Sequence, residues 1–226
     1  MIRGASVIGR EHVRLGRNNQ DAWASAEHRR AQTIVVADGC SSETNSEVGA
    51  QLASRWLARW VAQHSADQAL DAQLALDATR ALTAWLYRLA SSLDGDEASV
   101  IQHYLLFTVL CATSFGDSTL VFGIGDGVVQ VDERLILLDS GPENAPSYIA
   151  YRLTGATRPE PQIHFIGTAR QVTLMTDGLE PVAHRATTLL SALGANPRAL
   201  QRRLNVFSET ERLLDDATIA TLAVEA

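Results

Sequence analysis

Thr33-Ile34-Val35-Val36-Ala37-Asp38-Gly39 is the stretch on which the fold turns. A run of β-branched apolar residues reads as a buried strand, and Asp-Gly closes it with a turn. Beyond the turn the period changes. Val48, Leu52, Ala53, Trp56, Leu57, Trp60 and Val61 recur at helical spacing. Ser41, Ser42, Thr44 and Asn45 stand before them as candidate N-caps. Here a strand that ends on a carboxylate feeds a long helix.

Towards the N-terminus, Ala5 to Gly9 and Ala22 to Ala26 read as strands around a polar loop through Glu11 and Asn19. Towards the C-terminus, a second helix is predicted from Gln68 to Leu93. Its stripe is Leu70, Leu74, Ala78, Leu82, Leu86 and Leu89. Asp94, Asp96 and Glu97 end it as a solvated loop. Strands are predicted at Tyr104 to Ser114 and Thr119 to Ile124, around a turn containing Asp117. Further strands are predicted at Val128 to Val131, Arg134 to Leu138, Gln171 to Met175 and Ala217 to Val224. Gly141 to Pro161 holds most of the prolines and reads as a loop or small flap. Thr187 to Leu193 and Pro197 to Phe207 read as helices. The order is not βαβα alternation; it predicts an α+β fold of mainly antiparallel sheets covered by helices. With neither repeat nor linker, one domain over residues 1–226 is expected.

Composition narrows the function classes. The 226 residues carry a formal net charge of −7 and no lysine, so every cation is arginine or histidine. Phosphate-backbone affinity needs clustered basic residues, which argues against nucleic acid as a partner. Two cysteines, Cys40 and Cys111, form no CxxC motif and no disulfide framework, consistent with a reducing compartment. The longest apolar run, Tyr104 to Ala112, is too short for a membrane helix. The first residues lack a signal-peptide pattern. A cytoplasmic enzyme, away from the membrane and monomeric, is the expectation.

Five acidic motifs sit at the edges of strand-like runs: Asn19-Gln20-Asp21-Ala22, Ala37-Asp38-Gly39, Gly125-Asp126-Gly127, Thr176-Asp177-Gly178 and Asp215-Asp216-Ala217-Thr218. Carboxylates that converge without a cation repel one another and lose hydration. Their convergence therefore predicts a cage for hard divalent ions such as Mg²⁺ or Mn²⁺. A lone Asp-Gly is more often a turn than a ligand, and Asp126 or Asp177 taken singly reads as one. Asp117 is assigned to its turn. Asp216 is a possible ligand, but of two adjacent residues on a strand one points away. Joint order and spacing lift the set above chance turns.

In that order the motifs resemble those of the metal-dependent protein phosphatase 2C family, in its bacterial branch, over nearly the whole chain. Gly9-Arg10-Glu11-His12, Gly16 and Asn19-Gln20-Asp21-Ala22 are similar to its first motif. Val35 to Gly39 with Ser46-Glu47-Val48-Gly49-Ala50 is similar to the second, and the motifs around Asp126, Asp177 and Asp215 to later ones. The fold implied is a four-layer αββα sandwich, two antiparallel β-sheets flanked by helix pairs. The activity implied is hydrolysis of phosphoserine or phosphothreonine by a hydroxide bridging two Mn²⁺ or Mg²⁺ ions, with no phosphoenzyme. The resemblance implies phosphoprotein substrates, with a Ser/Thr kinase or its targets as partners.

Roles follow from the same resemblance. Asp38 bridges two metals and the Gly39 carbonyl completes one of them. Asp177 and Asp215 bind the other ion, and Asp126 with Asp177 matches a weaker third position. Asp21 acts on metal-bound water. Arg17, ahead of Arg14, is the candidate for phosphate, to which a guanidinium fork is suited. His12 is expected to be packed or capping. Two positions depart from the family. Ser41 replaces a usual glycine, and Cys40 stands where many eukaryotic members carry a histidine that acts as acid for the leaving group. Cys40 is expected to be a small buried filler, and Trp56, Trp60, Trp85 and Tyr87 to be core. The alternatives are a catalytically silent module of the same fold that binds a kinase or phosphoprotein, and a phosphoesterase acting on small molecules.

Overall fold

Buried positions in the middle strands run nearly without a break, because both of their faces are covered. The computed structural model of the chain describes residues 1–224 except 94, 142–145, 156, 192 and 195. In it β1 (Ile2–Val7), β2 (Asp21–His28) and β3 (Ala31–Gly39) come first, with a short helix α1 (Arg10–Leu15) after β1. Helices α2 (Ser46–Ser65), α3 (Ala72–Ser92) and α4 (Glu97–Tyr104) follow. Next come β4 (Phe107–Phe115), β5 (Ser118–Ile124), β6 (Gly127–Val131) and β7 (Arg134–Leu138). The chain continues through α5 (Tyr151–Thr154), β8 (Gln162–Gly167) and β9 (Gln171–Met175) to short helical turns, among them α6 (Ala183–Ala186). It closes with α7 (Ala199–Glu211) and β10 (Ala217–Ala223).

The strands form two five-stranded sheets, β2-β3-β4-β5-β8 and β1-β10-β9-β6-β7, and every pairing in them is antiparallel. Alternation along β3 sorts its side chains. Val35 and Ala37 join the core beneath α2 and α3, with Leu57, Val61, Leu82 and Leu86. Ile34 and Val36 face the other sheet, against Val129, Val172, Leu174 and Leu222. A third core lies outside that second sheet, where Val128, Met175 and Ile219 meet Leu179, Leu200 and Leu204. Three apolar layers between four layers of secondary structure give the αββα sandwich. The helix layer on the second side is one thirteen-residue helix, α7, and a run of short turns. Among the described residues no helix is long and apolar enough to cross a membrane.

Local chemistry moves several predicted boundaries. The Asp71 carboxylate accepts from the Gln73 and Leu74 amides, so α3 starts at Ala72 and not near Gln68. No side chain caps α2; Asn45 holds the cap position, and its side-chain amide donates to the Thr44 hydroxyl and makes no capping bond. Of the acidic stretch expected to be loop, Asp96 caps α4 by accepting from the Ser99 amide, and Glu97 is in its first turn; Asp94 lies outside the described residues. Tyr104 therefore ends a helix, and the strand begins at Phe107. β8 was not foreseen: it is an edge strand, mostly half-exposed or exposed, that pairs with β5 through an irregularity at Val121/Phe122. The predicted helix at Thr187 to Leu193 is a 3-10 turn over Thr187–Leu190. Within Gly141 to Pro161 the chain forms α5, and residues 142–145 and 156 lie outside the described residues. Trp56 stacks on both Trp60 and Trp85, and all three are half-buried over the helix-side core. Tyr87 is 53% exposed, so it is not core.

Candidate metal centre

On β3 the face that carries Ile34 and Val36 ends at Asp38, so the inter-sheet core gives way to a carboxylate where the strand leaves the sandwich. In the β2–β3 register Asp21 pairs with Asp38. Directly opposed residues of an antiparallel pair project to the same side, so their charges meet. From the second sheet, β9 runs into Thr176 and Asp177, and Asp215-Asp216 lead into β10. Asp126 stands in the Gly125-Asp126-Gly127 turn between β5 and β6, whose glycines have φ of +99° and +119°. Positive φ at both flanks is open to glycine at little cost, and it lets the chain reverse within one residue of the aspartate.

These strand ends open on one cleft of about 90 Å³. Asp38, Gly39, Asp126, Asp177 and Asp215 line it, with Cys40, Ser41, Thr108, Pro146 and Tyr148. Five of the residues expected at the metal site, Asp38, Gly39, Asp126, Asp177 and Asp215, thus line one cleft. Asp21 lies behind them, 5% exposed. The Thr176 hydroxyl donates to Asp21 Oδ2 at 2.7 Å and accepts from the Thr218 amide at 2.9 Å. Arg17 is outside the cleft, at its rim. Its guanidinium donates to the Ser41 carbonyl, and it shares a hollow with His12, Ser41 and Asp215. Arg14 instead pairs with Glu11 on the surface.

Asp215 and Asp216 divide their work. Asp216 is 2% exposed; it accepts from the Gly9 amide at 2.7 Å and the Gln20 amide at 2.5 Å, and lies 2.8 Å from His12 Nδ1. It fastens β10 to the start of α1 and to the loop before β2. Asp215 is left to face the cleft. His12 is packed as expected, 4% exposed.

Electrostatics mark the cleft as short of positive charge. Burial, then the charges of Asp21, Asp177 and Asp215, hold the Asp38 carboxyl well above the usual carboxylate range. Asp21 is also held well above it, by burial and against the bond from Thr176. Burial and the charge of Asp177 push Asp126 up to about 6. Asp215 and Glu180 are raised by burial and Asp177. No arginine or histidine lines the cleft among the described residues. Carboxylates with a backbone carbonyl form an all-oxygen donor set, which fits a hard divalent cation. His12, Asp215 and Asp216 also bring ligand-type atoms within 4.8 Å of one another.

Other parts of the site are not legible in the motifs. Thr108 and Glu180 are neighbours brought in by the fold, and Thr176, though it opens the Thr176-Asp177-Gly178 motif, carries no sign in the sequence of its bond to Asp21. Cys40 departs from expectation. It is half-exposed and lines the cleft, with its Sγ 3.1 Å from the Ser42 hydroxyl. Gly178 is required by close approach: a Cβ there would lie 1.9 Å from the Asp216 carbonyl oxygen. Backbone cannot swing aside as a side chain can. Gly178→Ala is expected to lower stability by about 1–3 kcal/mol, read as a lower urea midpoint at unchanged slope.

A comparison with curated protein sequences finds no match. Among solved structures, a serine/threonine phosphatase of S. agalactiae aligns with a TM-score of 0.69 at 17% identity, covering 100% of this chain and 99% of that one. The serine/threonine phosphatase Stp1 of Staphylococcus aureus aligns at 0.65 and 16% identity, covering 100% and 95%. PppA, a key regulatory component of the T6SS in Pseudomonas aeruginosa, aligns at 0.67 and 18%, covering 99% and 97%. At such identity the likeness establishes the shared fold. The sequence model of the family Protein phosphatase 2C matches residues 8–220. That span includes each of the five aspartate motifs whose side chains the sandwich gathers at one end, and the chain belongs to the protein phosphatase 2C family.

Proposed function

We propose that the protein is a metal-dependent serine/threonine phosphoprotein phosphatase. The observation that carries this is the convergence of Asp38, Asp126, Asp177 and Asp215, from four separate motifs, on one polar cleft. Asp38 and the Gly39 carbonyl, with Asp177 and Asp215, would hold two Mn²⁺ or Mg²⁺ ions; Asp126 with Asp177 would hold a weaker third. When bound, the ions supply Lewis acidity towards the phosphoryl group and an activated water. The protein's own groups do the rest. Asp21, fixed by the Thr176 hydroxyl, accepts a hydrogen bond from the attacking water and orients it. Arg17 is anchored through one nitrogen to the Ser41 carbonyl. Its remaining N–H groups are donors for phosphate oxygens at the rim. The rigid strand ends keep these groups in place. In this reading residues 1–226 act as one cytoplasmic, monomeric catalytic domain on targets of a Ser/Thr kinase.

The test combines Mn²⁺ calorimetry with hydrolysis of 4-nitrophenyl phosphate and a phosphothreonine peptide. Two bound ions and hydrolysis of both substrates are expected. Ion binding without turnover would replace the proposal with the catalytically silent module. Turnover of small esters alone would replace it with the small-molecule phosphoesterase, and absence of ion binding would overturn the site itself.

A further inference from the structure

Beside the carboxylate cleft lies a second hollow, of about 250 Å³, and two residues, Ser41 and Asp215, line both. Arg17, anchored to the Ser41 carbonyl, stands on its wall. Much of the remaining wall is apolar. Leu15, the last residue of α1, is 57% exposed and Leu214 is 64% exposed, and both line the hollow. Single exposed leucines are ordinary on a protein surface. Two on the wall of one hollow, beside the guanidinium proposed for phosphate, form a surface that a bound phosphopeptide can cover.

Backbone contacts hold both leucines in place. The Arg10 and Glu11 amides donate to the Leu213 and Leu214 carbonyls at 3.1 and 3.0 Å, which fastens the start of α1 to the segment before β10. Gly9 permits that contact: a Cβ there would lie 2.4 Å from the Leu214 carbonyl oxygen. Leu213 is buried in the core outside the second sheet, while its neighbour Leu214 faces out. At the other end of α1, Gly16 takes a left-handed φ of +66° and the Arg17 amide donates to the His12 carbonyl at 2.9 Å. This tight helix end sets Leu15 and Arg17 two residues apart on one hollow.

Charge in the hollow is largely committed. Glu11 is paired with Arg14, Asp215 is shared with the cleft, and Arg17 bonds the Ser41 carbonyl. A charged side chain laid against the two leucines would lose hydration without gaining a partner, whereas an apolar one gains by covering them. The volume is below the roughly 300–1,000 Å³ of pockets that enclose a whole small ligand, which suits one side chain. We propose that the hollow is a specificity subsite, in which Leu15 and Leu214 receive a large apolar side chain from a residue flanking the phosphorylated one. This rests on the phosphatase reading above and narrows its substrates to phosphoproteins with a leucine-like residue beside the phosphoserine or phosphothreonine.

The test uses the full chain with Mn²⁺ and phosphothreonine peptides that differ only at the two residues flanking the phosphothreonine. One peptide has alanine at both; the others have leucine, or aspartate, before or after it. Leucine on one flank is expected to raise kcat/KM about tenfold over alanine, the low end for a hydrophobic pocket because the hollow is open. Aspartate on that flank should fall below alanine. The leucine-to-alanine ratio should drop to about twofold or less in Leu15→Ser/Leu214→Ser and persist in Leu15→Met/Leu214→Met, with thermal melts to show that both variants fold. A ratio that survives the serine changes, or one lost equally in the methionine variant, would overturn the assignment. Equal rates on leucine and alanine peptides by an active wild type would sink the subsite alone. If wild type hydrolyses none of the peptides, the phosphoprotein phosphatase reading falls and takes this one with it.

Discussion

Asp38→Asn is expected to reduce Mn²⁺-dependent hydrolysis by about a hundredfold or more and, at the same time, to raise the melting temperature of the metal-free protein. The first effect arises from the proposed bridging position: an amide keeps the shape of the side chain and loses its charge. A metal's Lewis acidity is worth several kcal/mol of barrier, and each 1.36 kcal/mol is about tenfold in rate. The second effect arises from the surroundings. Asp38 faces Asp21 across the β2–β3 pair, and burial with the charges of Asp21, Asp177 and Asp215 disfavours its ionised form. In the folded, metal-free protein, ionising this carboxyl therefore costs stability that an amide in its place does not lose. The opposite signs separate this position from an ordinary core residue, whose substitution would lower both stability and activity. Kinetics in Mn²⁺ and thermal melts in chelator would read the two effects. Activity above a tenth of wild type, or a lower melting temperature without metal, would remove Asp38 from the centre of the site.

The sheets were legible because β-branched runs end at Asp-Gly turns, and the long helices because Leu57, Val61, Leu82 and Leu86 keep a helical period into one core. What escaped is where local and tertiary chemistry compete. α4 is hidden by the acidic residues at its start, one of which, Asp96, is the cap that makes the helix. β8 is hidden because an edge strand has one partner and little burial, so its pattern is weak.

The site divides in the same way. The metal-ligand candidates were readable because each sits next to a glycine or at a strand end. The residues that place them were not. Thr176 is linked to Asp21 only by the meeting of two sheets. Tyr148 faces the cleft only because Ile149 and Ala150 are buried beside it. Asp216 shows how sequence can limit a choice that packing then makes. Adjacent carboxylates diverge, and the one that can bond the Gly9 and Gln20 amides turns inwards. Its neighbour Asp215 is thereby presented to the cleft, so a structural clip and a ligand candidate arise from two identical side chains.

Without metal the protein is expected to be more stable at about pH 5 than at about pH 8, and added Mn²⁺ to reverse that order. Asp126 sets the sign. Its folded value is raised from 3.8 to about 6, so the folded state holds its proton more tightly than the unfolded chain does. The stability this provides is complete below about 3.8 and is lost as pH climbs through about 6. Asp126 is 4% exposed, and a rise of that size corresponds to about 3 kcal/mol, or on the order of 5–10 °C in melting temperature for a domain of this size. Asp21 and Asp38 are shifted in the same direction, chiefly by burial, and carry the loss to higher pH. Bound divalent ions need these carboxylates deprotonated, so their binding strengthens over the same interval in which the metal-free protein weakens. Melts at the two pH values, with chelator and with Mn²⁺, would measure the crossing. Asp126→Asn should flatten the metal-free profile. A metal-free protein that melts no lower at about pH 8 than at about pH 5 would mean that the clustered carboxylates are not the charge-starved site inferred from their burial.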